Sequence, residues 1–406
     1  MKPRIKHLRH PLRTAAAARD LLALYLNIKS LGDRSYRHYR GDARYDLMNV
    51  SNGFTSRLED PSDDHEVLER ICEAYIAAAK GERFASKVYQ ASAWWQQVRL
   101  ASLGPVIRAL CSRDIPTLSR IYRNFFRNAS STGLISVPYS LTKAYFDKRI
   151  KDIHRRFFLG DTLYGIDHWK TLTGDLFPLH VLAGPQIGNP FGIMIGRTLV
   201  RTGAAYQHYS SHRIASCLVS AKATVAEFGG GFGGMAYYLL RDQPGVKYVD
   251  FDVPECLALT SYYLLRSFPH LKFLLYGESA VTAETLASAD VVLMPLFEMD
   301  SLPSQSVELV FSSHAISDIS QEAMSAYLKT ITRISTGSFL YIGNVQAAEG
   351  IRGMAAEAND LFRLDEMRPS GWNAHRFPSA NEVECRFTPV AAFEALTLRN
   401  PREPRS

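Results

Sequence analysis

The stretch 225–234, VAEFGGGFGG, decides the fold. It closes an apolar run, ATVAEF (223–228), with an acid near its end, and passes at once into glycines 229, 230, 231, 233 and 234. A helix-forming segment, MAYYLLRDQ, follows directly. Strand, glycine loop and helix in that order bring the backbone close to something a Cβ would block. A bare strand-to-helix turn is the simpler alternative, but it would not need so many residues that each cost backbone entropy.

The same rhythm continues downstream. KYVDFD (247–252), LKFLLY (271–276), ADVVLM (289–294), VELVFSS (307–313) and SFLYIGN (338–344) read as strands. AAYQHYSSHRIASCLVSA (204–221) and ECLALTSYYLLRSF read as helices. Alternation of this kind predicts an α/β fold, a mostly parallel Rossmann-like sheet with helices on both faces. EVECRFTPV (382–390) is a late strand that suits an antiparallel closure. Ligands of such sheets bind at the carboxyl ends of the strands, where strand order reverses.

Upstream the pattern is helical. HEVLERICEAYIAAAKGERF (65–84), SAWWQQVRLASLGPVIRALCSR (92–113) and IPTLSRIYRNFFRNASS (115–131) repeat apolar residues at three- and four-residue spacing. Asp63 and Asp64 are placed to cap the first, and Asp114 with Pro116 to start the third. Trp94 and Trp95 read as core or interface residues. GPQIGNPFGIMIGRT (184–198), rich in glycine and proline, reads as a loop or short turns. The chain therefore divides into a helical N-terminal domain, 1–195, that covers the acceptor site or dimerises, a catalytic domain, 196–400, and a disordered tail, 401–406.

Composition sets outer bounds. The 406 residues are 46% hydrophobic and 21% charged, as in a soluble globular protein, and suffice for two domains. The net charge of +7 is concentrated at the ends, in MKPRIKHLRHPLR and RNPREPRS, which read as solvated flanks. No nucleic-acid-binding motif accompanies them, so no nucleic-acid partner is expected. Arg19 and Asp20 interrupt TAAAARDLLALYLNI, leaving an amphipathic packing helix rather than a membrane span. Five scattered cysteines without a CxxC fit reduced thiols and a cytoplasmic location.

Two cofactors fit the glycine loop. Gly229, Gly231 and Gly234 satisfy the dinucleotide fingerprint GxGxxG. Glu227, Gly229, Gly231 and Gly233 equally satisfy ExGxGxG, the motif of S-adenosylmethionine enzymes. The acid favours the second. A carboxylate at Glu227 attracts a sulfonium and an amino group but repels a pyrophosphate, which wants helix N–H groups. Asp252, 21 residues after Gly231, is placed to accept both ribose hydroxyls, a device both cofactors share. Asp250, on the same strand face, competes with it, but Pro254 marks the strand end nearer Asp252.

VAEFGGGFGGMAYYLL followed by VDFDVPECLALTSYYLL resembles the bacterial sugar O-methyltransferase family, within the class I S-adenosylmethionine-dependent superfamily. IYRNFFRN, IGNPFG, YQHY and VELVFSSHAISDIS resemble the same family, so the likeness spans roughly residues 90–345. It implies a class I methyltransferase fold, S-adenosyl-L-methionine as cofactor and methyl donor, and a sugar hydroxyl of a glycan or glycosylated metabolite as acceptor.

Methyl transfer to a hydroxyl needs positioning and a general base. His314, directly after VELVFSS, is the first candidate. Asp318, four residues on, shares its face if a helix starts there, and either orients the imidazole or is the base itself. Tyr206, His208 and Tyr209, in YQHY, are candidates to line the acceptor pocket, with core packing as the alternative for each. Asn344, at the end of its strand, is placed to donate to the acceptor, and Glu278 and Ser279, after LKFLLYG, to meet the adenine edge. No metal is expected, because Asp252, His314 and Asp318 do not form a metal-binding spacing. The rival readings are a nicotinamide-dependent oxidoreductase and a non-catalytic methyltransferase-fold scaffold.

Overall fold

A computed structural model describes residues 11–58, 64–137, 139–357, 362–376 and 381–389. The expected cap at Asp63 and the tail at 401–406 lie outside the described residues.

Eight strands form the main sheet: β3 (Thr224–Phe228), β4 (Lys247–Asp252), β5 (Phe273–Leu275), β6 (Val291–Pro295), β7 (Val307–Ser313), β8 (Ser335–Asn344), β9 (Phe362–Pro369) and β10 (Glu382–Pro389). Before them, β1 (Gly192–Ile195) and β2 (Thr198–Arg201) make a separate hairpin. The main sheet runs in the order β5-β6-β4-β3-β7-β8-β10-β9. Strands β3 to β8 are mutually parallel, and β10 pairs antiparallel with both β8 and β9.

Side-chain alternation divides β3 between two faces. Ala226 and Phe228 join a core with Phe251, Val310 and Phe339. Val225 joins a second core, which extends without a break into the helical half. There Phe126 meets Phe232 of the glycine loop edge-on at 5.2 Å, and Tyr122 meets Tyr262 at 5.1 Å. The helical residues and the sheet thus share one apolar interior.

The helices differ in detail from the sequence expectation. The segment 92–113 is broken into Ala93–Val98, a π-helical turn Arg99–Leu103 and Gly104–Ser112. Helix Ile115–Tyr122 is capped by Asp114, which accepts from the Thr117 N–H at 3.1 Å, and ends well before residue 131. Asp64 stands at the start of His65–Glu82 but makes no side-chain cap; it accepts from Ser119 and Tyr262 instead. The segment 184–198 holds β1, not loop alone. Its hairpin turns at Gly196, whose φ of 59° is the left-handed region that glycine occupies without strain. None of the described helices is long and apolar enough to cross a membrane.

Candidate active site

Strand order reverses between β3 and β7, and their carboxyl ends carry the glycine loop and His314 respectively. The two loops touch. A Cβ on Gly229 would lie 2.2 Å from the Ala315 Cβ, and Gly229, Gly231 and Gly233 all have φ between 69° and 86°. No side chain fits at Gly229, and all three positions favour glycine conformationally.

Under this loop lies a chamber of about 410 Å³. Glu227 and Asp252 line it, with Gly229, Gly230 and Gly231, and neither Lys nor Arg is among the described lining residues. Asp252 is held in place: its carboxylate accepts from the Gly231 N–H at 2.9 Å and the Val253 N–H at 2.7 Å. Glu227 is buried and accepts from the Tyr248 hydroxyl at 2.5 Å. Burial pushes the Glu227 carboxyl up to about 8, against a lowering by Tyr248 and with Asp252 adding to the rise. Burial likewise raises Asp252 to about 7, opposed by its two backbone hydrogen bonds.

Asp250 does not reach the chamber. It sits fully buried beneath the loop, accepts from the Gly230 N–H at 3.0 Å, and its Oδ2 has no partner. Loss of hydration and the neighbouring Asp252 raise its carboxyl strongly.

Trp94 and Trp95 line the same chamber, contrary to their reading as core or interface alone. Trp95 donates to Glu255, and Arg99 pairs with Glu255 at 2.9 Å and with Glu82 at 2.9 Å. This buried buckle fixes the helical half over the start of helix Pro254–Ser267.

A second chamber, about 290 Å³, lies beyond His314. Asp161, Arg201, Trp372, His375 and Arg376 line it. Ser136, Tyr206 and His314 line both chambers, so these three residues form the seam. His314 has φ 61°, a left-handed residue between β7 and the 3-10 turn Ala315–Asp318, and its N–H donates to the Ile342 carbonyl at 2.9 Å. Its ring is exposed, 6.4 Å from that of Tyr206, whose hydroxyl bonds Ser313.

The turn after His314 is 3-10, not α, so the α-helical start that the pairing of His314 with Asp318 presumes does not occur. The Asp318 side chain lies outside the described part of the structure. His208 and Tyr209 are absent from both linings. His208 is buried against helix Asp152–Leu172: its Nδ1 accepts from the Trp169 indole at 3.1 Å, and burial pushes it down to about 4. Tyr209 donates to Glu384 of β10 at 2.5 Å. Asn344 accepts from the Ala347 N–H at 2.7 Å, capping helix Val345–Glu357. Glu278 and Ser279 follow β5, which is the edge strand; β6, not β5, flanks β4. Glu278 is bound by Arg70 at 2.5 Å, and Leu296, after β6, lines the chamber instead. No group of three His, Cys, Asp or Glu suited to a metal occurs among the described residues.

The strand order, with antiparallel β10 slotted between the co-directional β8 and β9, is that of the class I methyltransferase fold, widened by β5 at the edge. No family model and no curated protein matches the chain. Among solved structures it is similar to the pyocyanin biosynthetic protein PhzM, at 14% identity and TM-score 0.33, over 70% of this chain and 76% of that one. It is similar to the mitomycin 7-O-methyltransferase MmcR at 14% identity and TM-score 0.31, over 46% of this chain and 55% of that one. The chain thus spans about half the length of that enzyme. A SAM-dependent methyltransferase from Aquifex aeolicus matches at 12% identity and TM-score 0.30, over 44% of this chain and 87% of that one. The fold is defined by the strand order.

Proposed function

We propose that the chain is an S-adenosyl-L-methionine-dependent O-methyltransferase that acts on a sugar hydroxyl. The observation that carries this reading is the charge of the first chamber: two carboxylates, Glu227 and Asp252, and neither Lys nor Arg among its described lining residues. A cationic sulfonium with an amino group suits that environment, whereas a dinucleotide pyrophosphate would meet Glu227 with no cation to offset it.

The bound cofactor supplies an activated methyl group. The chain's own residues do the rest. Glu227 and Asp252 neutralise and orient the cationic ligand. Ser136, Tyr206 and His314 hold the acceptor oxygen where the chambers meet, which converts an encounter into an oriented approach. His314 takes the acceptor's proton at a ring nitrogen, a contribution of about 10²–10⁴-fold. Helix Ala93–Val98 brings Trp94 and Trp95 to the first chamber, and helix Asp152–Leu172 brings Asp161 to the second. Five free cysteines fit a reducing, cytoplasmic setting.

Parallel titration with S-adenosylhomocysteine and NADH tests the reading. Micromolar binding of S-adenosylhomocysteine alone supports it; binding of NADH alone makes the chain an oxidoreductase, and binding of neither favours a non-catalytic scaffold.

A further inference from the structure

The second chamber carries the opposite charge to the first. The one carboxylate among its described lining residues, Asp161, is fully engaged: Arg376 holds both its oxygens at 2.5 Å, and His375 Nε2 lies 2.7 Å from Oδ1. Arg201 is therefore left over. It is 5% exposed, and its hydrogen-bond partners among the described residues are neutral: the Thr202 carbonyl at 3.1 Å, the Gln207 side-chain carbonyl and the Tyr238 hydroxyl. The rings of Phe126 and Phe232 flank it at 5.1 and 4.9 Å. No carboxylate pairs with it among the described residues, and its Nε has no partner. A buried guanidinium without a counter-ion is unfavourable, so the site is incomplete as it stands.

Two further polar atoms of the same chamber, Trp372 Nε1 and His375 Nδ1, are also buried and unpartnered. The indole N–H is donor-only. The Trp372 ring stands edge-on to Tyr206 at 5.3 Å, an aromatic wall reaching toward the seam. A charge left unpaired, an unused N–H and an aromatic wall together describe a pocket for an oxygen-rich anion with a flat apolar face.

We propose that the acceptor is an anionic sugar, carrying a carboxylate or a phosphate, whose charged group sits on Arg201 while the hydroxyl to be methylated lies at His314. This rests on the methyltransferase reading above and names the acceptor class for its second chamber. One other anion competes for Arg201, the carboxylate of the cofactor's methionine. Arg201 lines the second chamber and is absent from the lining of the first, which favours the acceptor, while its neighbours Gln207 and Phe232 line the first; the affinity of Arg201→Gln for S-adenosylhomocysteine decides between the two.

The test uses the full-length protein saturated with S-adenosylhomocysteine, titrated by calorimetry with glucuronate, glucose 6-phosphate and glucose. At least one charged sugar should bind about tenfold or more tighter than glucose. Which one does so separates the carboxylate source from the phosphate source. Arg201→Gln should abolish the preference and leave S-adenosylhomocysteine affinity within about twofold of wild type. Equal binding of all three sugars, or no response to either charged one, overturns the proposal. So does an Arg201→Gln variant that loses S-adenosylhomocysteine affinity, since Arg201 would then serve the cofactor. Failure of wild type to bind S-adenosylhomocysteine at all would instead sink the underlying methyltransferase reading.

Discussion

His314 and Tyr206 face one another, ring centroids 6.4 Å apart, at the seam between an acidic chamber and a basic one. Their separation in sequence is large, but β7 and helix Ala204–Ala215 bring them together, and the Tyr206 hydroxyl reaches Ser313 next to His314. Under the proposed function, a group at this seam would touch both donor and acceptor.

His314→Asn therefore separates chemistry from binding. Asparagine tolerates the left-handed backbone at φ 61° and offers no proton acceptor of comparable basicity. Turnover should fall by about 10²-fold or more, with S-adenosylhomocysteine affinity unchanged. Steady-state kinetics beside calorimetry reads both, and unchanged turnover would remove His314 from the role of base.

The acid pair makes binding sensitive to pH. Glu227 at about 8 and Asp252 at about 7 lie above their ordinary values of 4.5 and 3.8. Between about pH 4 and 8 the unfolded chain has released these protons while the folded chain keeps part of them. The empty protein should thus lose stability as pH rises through that window. A cationic ligand favours the ionised acids, so its binding should release protons near pH 7. Titrations in buffers of different ionisation enthalpy measure this directly. Glu227→Gln should reduce the release; wild-type binding without any proton release would contradict the assignment of these carboxylates to the cation.

Gly229→Ala should close the loop to its ligand. The added Cβ meets Ala315 at 2.2 Å and the φ of 86° is unfavourable for alanine by about 1–2 kcal/mol. We expect S-adenosylhomocysteine affinity to drop more than about tenfold and thermal stability to fall. Wild-type affinity would show that the loop does not contact the cofactor.

His208→Ala should act on stability, not on catalysis. It leaves the buried Trp169 N–H without its acceptor, at a cost of about 1–3 kcal/mol. The wild-type imidazole, pushed down to about 4, also predicts that stability declines as pH falls from about 6.5 toward 4, because the unfolded chain protonates first. Denaturant unfolding across pH checks both, and an altered KM at unchanged stability would return His208 to the acceptor site.

Local signals were legible and non-local ones were not. The glycine loop could be read because its strand, positive-φ glycines and helix are contiguous, and Asp252 follows at a fixed spacing. Of the two readings open for His208, core packing holds, because residues two apart on a helix point about 200° apart. Tyr206 faces the seam, so His208 must face the core. Glu278 was misplaced because LKFLLY does form a strand, but which strand flanks β4 is a pairing decision that no local pattern records. Strand β9, FRLDEMRP, was missed since an edge strand with exposed charges lacks an apolar run. The second chamber draws on Asp161, Arg201 and 372–376, three distant segments that only the tertiary fold assembles.

The most direct test of the two-chamber account is a crystal structure of the protein with S-adenosylhomocysteine. The account predicts the amino group near Glu227, the ribose on Asp252, and the sulfur at the seam facing His314 and Tyr206. A ligand seated in the Arg201 chamber, or with its sulfur turned away from His314, would contradict it.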